Sequence, residues 1–492
     1  MFEASGSGCG DAPATAVGVG TRTPAVADDC GVTEAADGRD VSEGTDSTDS
    51  TAELVAVIAG LRELAPAVSQ SANIERIRLL EELKAVCAAV QARETAALHA
   101  ARADAEAARG VPAAKRCRGV GAEVALARGE SPARGSRHVG LALALVHEMP
   151  HTMAALTAGT VSEWRATLIA RETAWLPVEG RRHVDDALAG QLAGRGDRTV
   201  AAHARALAQA YDPHAATEHL RRAERERRVS IRPAPDAMVY LSALLPMVQG
   251  VAAYAALDRA AAAAVGTGEA AGRTRAQVMA DVLVERLTGQ HAAAAVPVEV
   301  HLVMSDHSLL EVGGGVAGDD EAPAWLVGHG PIPAPAARAL LGPEHDHPDG
   351  RARVWLRRLY TDPESGRLVA MDSRRRTFDG HLRRLLLIRD DTCRTPWCDA
   401  PVRHADHCTP HHAGGSTAFD NGSGLCERCN HTKESDDWRH GTSADGLDVT
   451  TPTGHTYRAP ARPLLPGAPP AAGGAPSRTR TQSSDSPTGP GL

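Results

Sequence analysis

Between Cys393 and Lys433 the chain gathers five cysteines and five histidines, with Asp406, Asn421 and Asn430 set among them. Four residues separate Cys393 from Cys398, and two separate Cys426 from Cys429. Two short cysteine pairs joined by a loop are the usual grammar of a structural zinc site. Each pair turns back on itself, and four thiolates close a tetrahedron that leaves no open position for a substrate. In a stretch with few aliphatic side chains, Zn2+ would supply much of the folding free energy. The alternative is four unliganded thiols. Cys408 lies outside both pairs and is expected to be a spectator.

Asp406 and His407 are adjacent. In a strand, neighbouring side chains point to opposite faces. A twist or bulge there would let the carboxylate reach a metal ion while the imidazole faces a water. A neutral histidine suits base catalysis near pH 7, and a hard, oxygen-ligated cation suits phosphate oxygens. Gly414 and Gly415 permit a tight loop after this pair. "CNHTK" should then open a helix carrying Asn430, His431 and Lys433.

These residues resemble the HNH endonuclease family, whose ββα-metal fold runs strand, loop, strand, helix. The matching residues are "DH" at 406–407, "GG" at 414–415, "N…LC" at 421 and 425–426, and "CNxxK" at 429–433. The flanks resemble a bacterial subgroup with a long helical N-terminal domain of unknown function. "RDDTCRTPWC" upstream, "DWRHG…GLDVTTPTGHTY" downstream and "PHTMAALTAGTVSEWRATLIARETAWL" in the helical half all agree, so the resemblance covers roughly residues 54 to 466.

The resemblance implies a metal-dependent DNA endonuclease. His407 would be the general base, and Asp406 and Asn430 would be ligands of Mg2+ or another divalent cation. Asn421 would orient the loop and the base, and Lys433 would contact phosphate or solvent. Many related chains carry His–His where this one has Cys429–Asn430, which makes an H-N-N form of the signature. Asn430 can still ligate through its carbonyl oxygen. His431 is the alternative ligand, although it lies about 100° further around the helix. His404, His411 and His412 read as loop or phosphate-side residues. The runner-up function is a zinc-stabilised, non-catalytic DNA-binding or interaction protein.

The elements that must position this site come from a chain of 492 residues, long enough for two or three units. Aromatic residues make up only 3%, so the core must be built from Leu, Val and Ala. A net charge of −8 argues against a uniformly basic coat but allows a local basic surface. The expected fold class is α+β, a mostly helical N-terminal and central region with a small β element, then the zinc-stabilised nuclease domain. Residues 1–50 read as a disordered acidic tail, 51–345 as the helical domain, 346–385 as a basic connector, 386–466 as the nuclease domain and 467–492 as a second tail.

Within the helical domain, Ile74, Ile77, Leu80, Leu83, Cys87 and Val90 recur at helical spacing and predict a core or homodimer-packing face. "GVPAAKRCRGVGAEVALARGESPARGSRHVG" (110–140) reads as a connector, and "VPVEVHLVM" (296–304) as a strand. Gly159 is a predicted helix stop and Ser162 a predicted N-cap. The basic "HLRRAERERRVSIR" (219–232) reads as a solvated helix face. No secretory signal or membrane span is visible, so a cytoplasmic location is expected.

Overall fold

A computed structural model describes residues 47–192, 194–236, 238–289, 302–304, 322–341, 377–443 and 446–462. Residues 1–46 of the first expected tail, the whole of the second, most of the basic connector and residues 296–301 of the expected strand fall outside these residues, while 47–50, expected in the tail, begin a helix.

The chain forms two compact units. The first comprises residues 1–67 and 112–114, and its described helix is α1 (Ser47–Arg62). The second holds the remaining elements. Its helices begin with α2 (Gln70–Ala108), α3 (Val120–Arg128), α4 (Pro132–His147), α5 (Pro150–Thr157), α6 (Glu163–Thr173), α7 (Val178–Leu188), α8 (Asp197–Tyr211) and α9 (Pro213–Arg225). A hairpin of β1 (Arg228–Pro233) and β2 (Val239–Leu244) follows, then α10 (Met247–Gly266) and α11 (Arg275–Thr288). The strands β3 (Leu302–Val303), β4 (Ala324–Leu326) and β5 (Gly330–Ile332) make a small antiparallel sheet, followed by α12 (Ala334–Leu341). The C-terminal part contains α13 (Gly380–Asp390), the antiparallel pair β6 (His404–His407) and β7 (Gly422–Leu425), and α14 (Glu427–Lys433). It ends in an antiparallel meander of β8 (Arg439–Ser443), β9 (Gly446–Thr450) and β10 (Thr456–Pro460).

The helical core differs from the periodicity in one respect. Ile74 and Ile77 are 68% and 62% exposed, and Cys87 is exposed too. The face of α2 that buries is Ala85, Ala88, Ala89 and Ala92, which pack with Leu145 and Met149. Alanine spacing at i, i+3, i+4 and i+7 lets α4 approach closely, and the bulkier apolar stripe is left uncovered. At the other end of this core, Asp185 of α7 is fully buried and caps α5. It accepts from the backbone N–H of His151 (2.7 Å) and Thr152 (2.9 Å). Two orphan donors of a helix N-terminus are thereby satisfied.

The expected connector at 110–140 is largely helical: it contains α3 and the first half of α4. Gly135 explains why glycines there do not break helices. A Cβ at this position would sit 2.0 Å from the Gly121 carbonyl oxygen, so glycine is what allows α3 and α4 to cross so closely. Gly159 does end α5 with a positive φ, and Ser162 caps α6 by accepting from Arg165 N–H. The basic 219–232 segment changes from helix to strand at Arg228. Of the expected strand at 296–304, Leu302–Val303 pairs with β4, and β4 in turn pairs with β5.

The C-terminal part docks on α3 and α4 within the same compact unit. Leu126 of α3 packs with Cys408, Trp438, Leu447, Val449 and Tyr457. Buried Glu123 accepts from Arg102 (2.9 Å) and from the backbone N–H of Thr453 (3.2 Å), and the Thr453 hydroxyl also donates to it. Arg428 of α14 donates to the Pro132 carbonyl (3.1 Å) and the Ser136 hydroxyl (2.8 Å) at the start of α4. Among the described residues, no helix is long and apolar enough to cross a membrane.

Candidate functional site

The two cysteine pairs meet. Cys393, Cys398, Cys426 and Cys429 are all buried, with their sulfurs within 4.8 Å of one another. The Cys398 sulfur lies 3.8 Å from that of Cys426 and 3.6 Å from that of Cys429. A tetrahedral Zn–S site with bonds of about 2.3 Å has sulfur–sulfur edges of about 3.8 Å, so the four residues fit zinc. Electrostatics agree. Thiol hydrogen bonds from Cys393, Cys398 and Cys429 pull Cys426 far below the ordinary thiol range, and Cys429 is pushed up by the same crowding, Cys393 foremost. Cys408 lies apart in the apolar cluster with Leu126, and burial pushes its thiol up.

Backbone geometry sets the pairs. The Cys393 N–H donates to the Ala400 carbonyl (2.7 Å), and Arg394 N–H to that of Gly424 (2.9 Å), which fastens the first knuckle to β7. Cys426 is the N-cap of α14, and its sulfur accepts from Cys429 N–H (3.4 Å). Ligand and cap are one residue.

The adjacent strands carry Asp406 and His407, paired across the ladder with Ser423 and Gly422. His407 is 7% exposed. Its Nε2 is 2.8 Å from the Thr417 hydroxyl, and Phe378 lies against the ring at 4.6 Å between centroids. Its Nδ1 is 3.9 Å from Asp406 Oδ1. His411, in the turn beyond β6, meets the ring edge-on at 5.8 Å. The pleat puts the two side chains on opposite faces, yet the end of the strand brings carboxylate and imidazole close.

Helix α13 steadies this arrangement from behind. Arg389 donates to the carbonyls of Phe419 (2.8 Å) and Gly422 (2.7 Å) and pairs with Asp390, which accepts from Gly424 N–H (2.6 Å). The loop between the strands is held by Asn421. Its amide donates to the carbonyls of Thr409 (3.0 Å) and Ser416 (2.8 Å), and its oxygen accepts from Thr409 N–H (2.9 Å). Gly415 completes the loop, since a Cβ there would lie 1.8 Å from the Thr409 carbonyl oxygen. Asn421 therefore positions the loop and has its amide fully engaged in doing so.

Helix α14 packs on both strands. Lys433, 8% exposed, donates to Asp406 Oδ2 (2.5 Å) and to the His407 carbonyl (2.6 Å). Asn430 lies one turn earlier on the same helix face. Its side-chain oxygen is buried with no hydrogen-bond partner among the described residues. An orphaned buried carbonyl oxygen is costly unless something electropositive reaches it. His431 is turned to solvent, its side chain 73% exposed, near His404 at 6.5 Å between rings. Of the two candidate ligands at this step, Asn430 is directed inward and His431 outward.

Thr417, Phe378 and His440 were not singled out by the sequence. Thr417 and Phe378 orient the His407 ring. His440, on β8, is half-buried and lies within electrostatic reach of Lys433 and Asp406. Burial, and then the Lys433 charge, push its pKa down to about 4.

No curated protein and no solved structure matches the chain. A family model described as "Domain of unknown function (DUF222)" matches residues 78–390, more than half of the chain and ending just short of Cys393. The chain belongs to the DUF222 family.

Proposed function

We propose that the C-terminal part is a metal-dependent endonuclease that hydrolyses DNA phosphodiesters with His407 as general base. The observation that carries this reading is the His407 environment. A buried imidazole, locked by Thr417 at Nε2, stands beside a carboxylate on a strand pair that leads into a helix with an unpartnered amide oxygen. Membership of DUF222, a family often found with HNH domains, adds support.

When Nε2–H donates to Thr417, the lone pair of the neutral ring is on Nδ1, the nitrogen facing Asp406. There it takes the proton of a water whose oxygen bonds to phosphorus as the P–O3′ bond breaks. The departing 3′-oxygen is then protonated from solvent. A divalent cation bound by Asp406 and Asn430 would neutralise the phosphate and the developing charge on that oxygen. Asn421 keeps the loop and the ring in register, and the thiolate cluster holds the hairpin to α14.

Incubation of the full chain with supercoiled plasmid and Mg2+ or Mn2+ tests this. Nicks bearing 3′-hydroxyl and 5′-phosphate ends are expected, and His407→Ala should form them roughly 10²- to 10⁴-fold more slowly. Wild-type protein that leaves the plasmid intact in every divalent metal would refute it. One observation favours a second reading, a zinc-stabilised DNA-binding module without turnover: Lys433 already neutralises Asp406. Gel retardation without nicking would support that reading.

A further inference from the structure

His440, on β8, lies outside the strand–strand–helix unit and within electrostatic reach of Asp406 and Lys433. His440 stands opposite Val449 in the β8–β9 ladder, so both project to the same side. Val449 is fully buried and packs in the cluster that contains Cys408, two residues beyond Asp406. The meander thus carries the His440 ring towards the Asp406 side of the hairpin. Its Nδ1 is buried with no hydrogen-bond partner among the described residues, as is Oδ1 of Asn430. Two orphaned electron-pair donors therefore accompany one carboxylate, and the cation already there is the Lys433 ammonium, its side chain 5% exposed. Buried acceptors without a hydrogen to accept call for a partner, and beside a carboxylate a positive ion is one that suits all three groups.

We propose that His440 is a third donor of the cation site, joining Asp406 and Asn430. One imidazole nitrogen among oxygen donors changes the selectivity of the site. It favours Mn2+ and similar first-row ions over Mg2+, which prefers an all-oxygen shell. The inference rests on the proposed function for the existence of the ion, but binding can be measured without DNA or turnover.

The experiment titrates Mn2+ and Mg2+ into the zinc-loaded full chain, with affinity read by calorimetry and the Mn2+ environment by pulsed electron paramagnetic resonance. Wild type should bind Mn2+ more tightly than Mg2+ and show imidazole nitrogen coupling. His440→Ala should weaken Mn2+ by roughly tenfold or more, affect Mg2+ less, and abolish the coupling. The coupling should persist in His407→Ala. Should His440→Ala not fold, the wild-type and His407→Ala spectra decide, because absent nitrogen coupling in both overturns the proposal. Loss of binding in Asp406→Ala with unchanged Mn2+ affinity in His440→Ala overturns the role of His440 and leaves the cation site standing. Absence of any second ion in wild type overturns both.

Discussion

The helical region and the C-terminal part solve the same problem with different materials. Around α2, α4 and α8 the core is alanine and leucine, close-packed through small side chains, and its buried carboxylate, Asp185, serves as a helix cap. The C-terminal part has only small apolar clusters and places four cysteines between them. One region is held by many weak contacts and can lose any one of them. The other depends on a few ligands and cannot. The second strategy suits a site where Asp406, His407 and Asn430 must be fixed on short strands and a helix of only two turns. Segments this short bury too little apolar surface to hold such geometry on their own.

The comparison breaks most sharply on metal removal. Stripping zinc with a strong chelator should unfold the C-terminal part, since a structural zinc contributes on the order of 10 kcal/mol or more. Hydrogen exchange should then show lost protection at 393–460 and retained protection in α2 and α4. Uniform loss would mean that the two regions are not separable. In the converse experiment, Leu145→Ala should cost about 2–5 kcal/mol by urea unfolding. The cysteines should remain shielded from thiol reagents under native conditions.

A pH scan sharpens the contrast. His440 has a folded pKa of about 4 against 6.5 for the ordinary side chain. Between these values the unfolded chain binds the additional proton, so stability contributed by neutral His440 is complete above pH 6.5 and declines as pH falls towards 4. The decline should reach about 3 kcal/mol and be absent in His440→Gln, measured by denaturation without added divalent ions. The smallest effect is expected from Asp185→Ala. Loss of the α5 cap should lower helical stability by about 1–2 kcal/mol, read from the shift in the urea midpoint, and leave zinc content unchanged.

What could be read from the chain followed how local each signal was. The cysteine spacings, the "DH" and "GG" pairs and the inward step of Asn430 are short-range patterns, and the structure brings the four sulfurs together and sets Asp406 and His407 on the strand before the loop that Asn421 holds. Ser162 and Gly159 likewise act through their nearest neighbours. Ile74 and Ile77 misled because periodicity reports which face is apolar and says nothing of whether another element covers it. The alanine face that does bury has little hydrophobic contrast. The glycines of 110–140 read as breaks, whereas Gly121 and Gly135 are contact points between two helices. Thr417 and His440 carried no signal: Thr417 meets His407 only when the hairpin closes, and His440 lies on a strand of the meander that follows.

On the proposed function, the C-terminal residues divide into a brace and a reacting group, and one paired measurement addresses that division. Zinc content and plasmid-nicking rate are determined for Cys426→Ser and His407→Ala beside wild type. His407→Ala should keep its zinc and cut roughly 10²- to 10⁴-fold more slowly, while Cys426→Ser should lose zinc and fold together. Wild-type cutting by His407→Ala, or equal zinc loss in both variants, would contradict it.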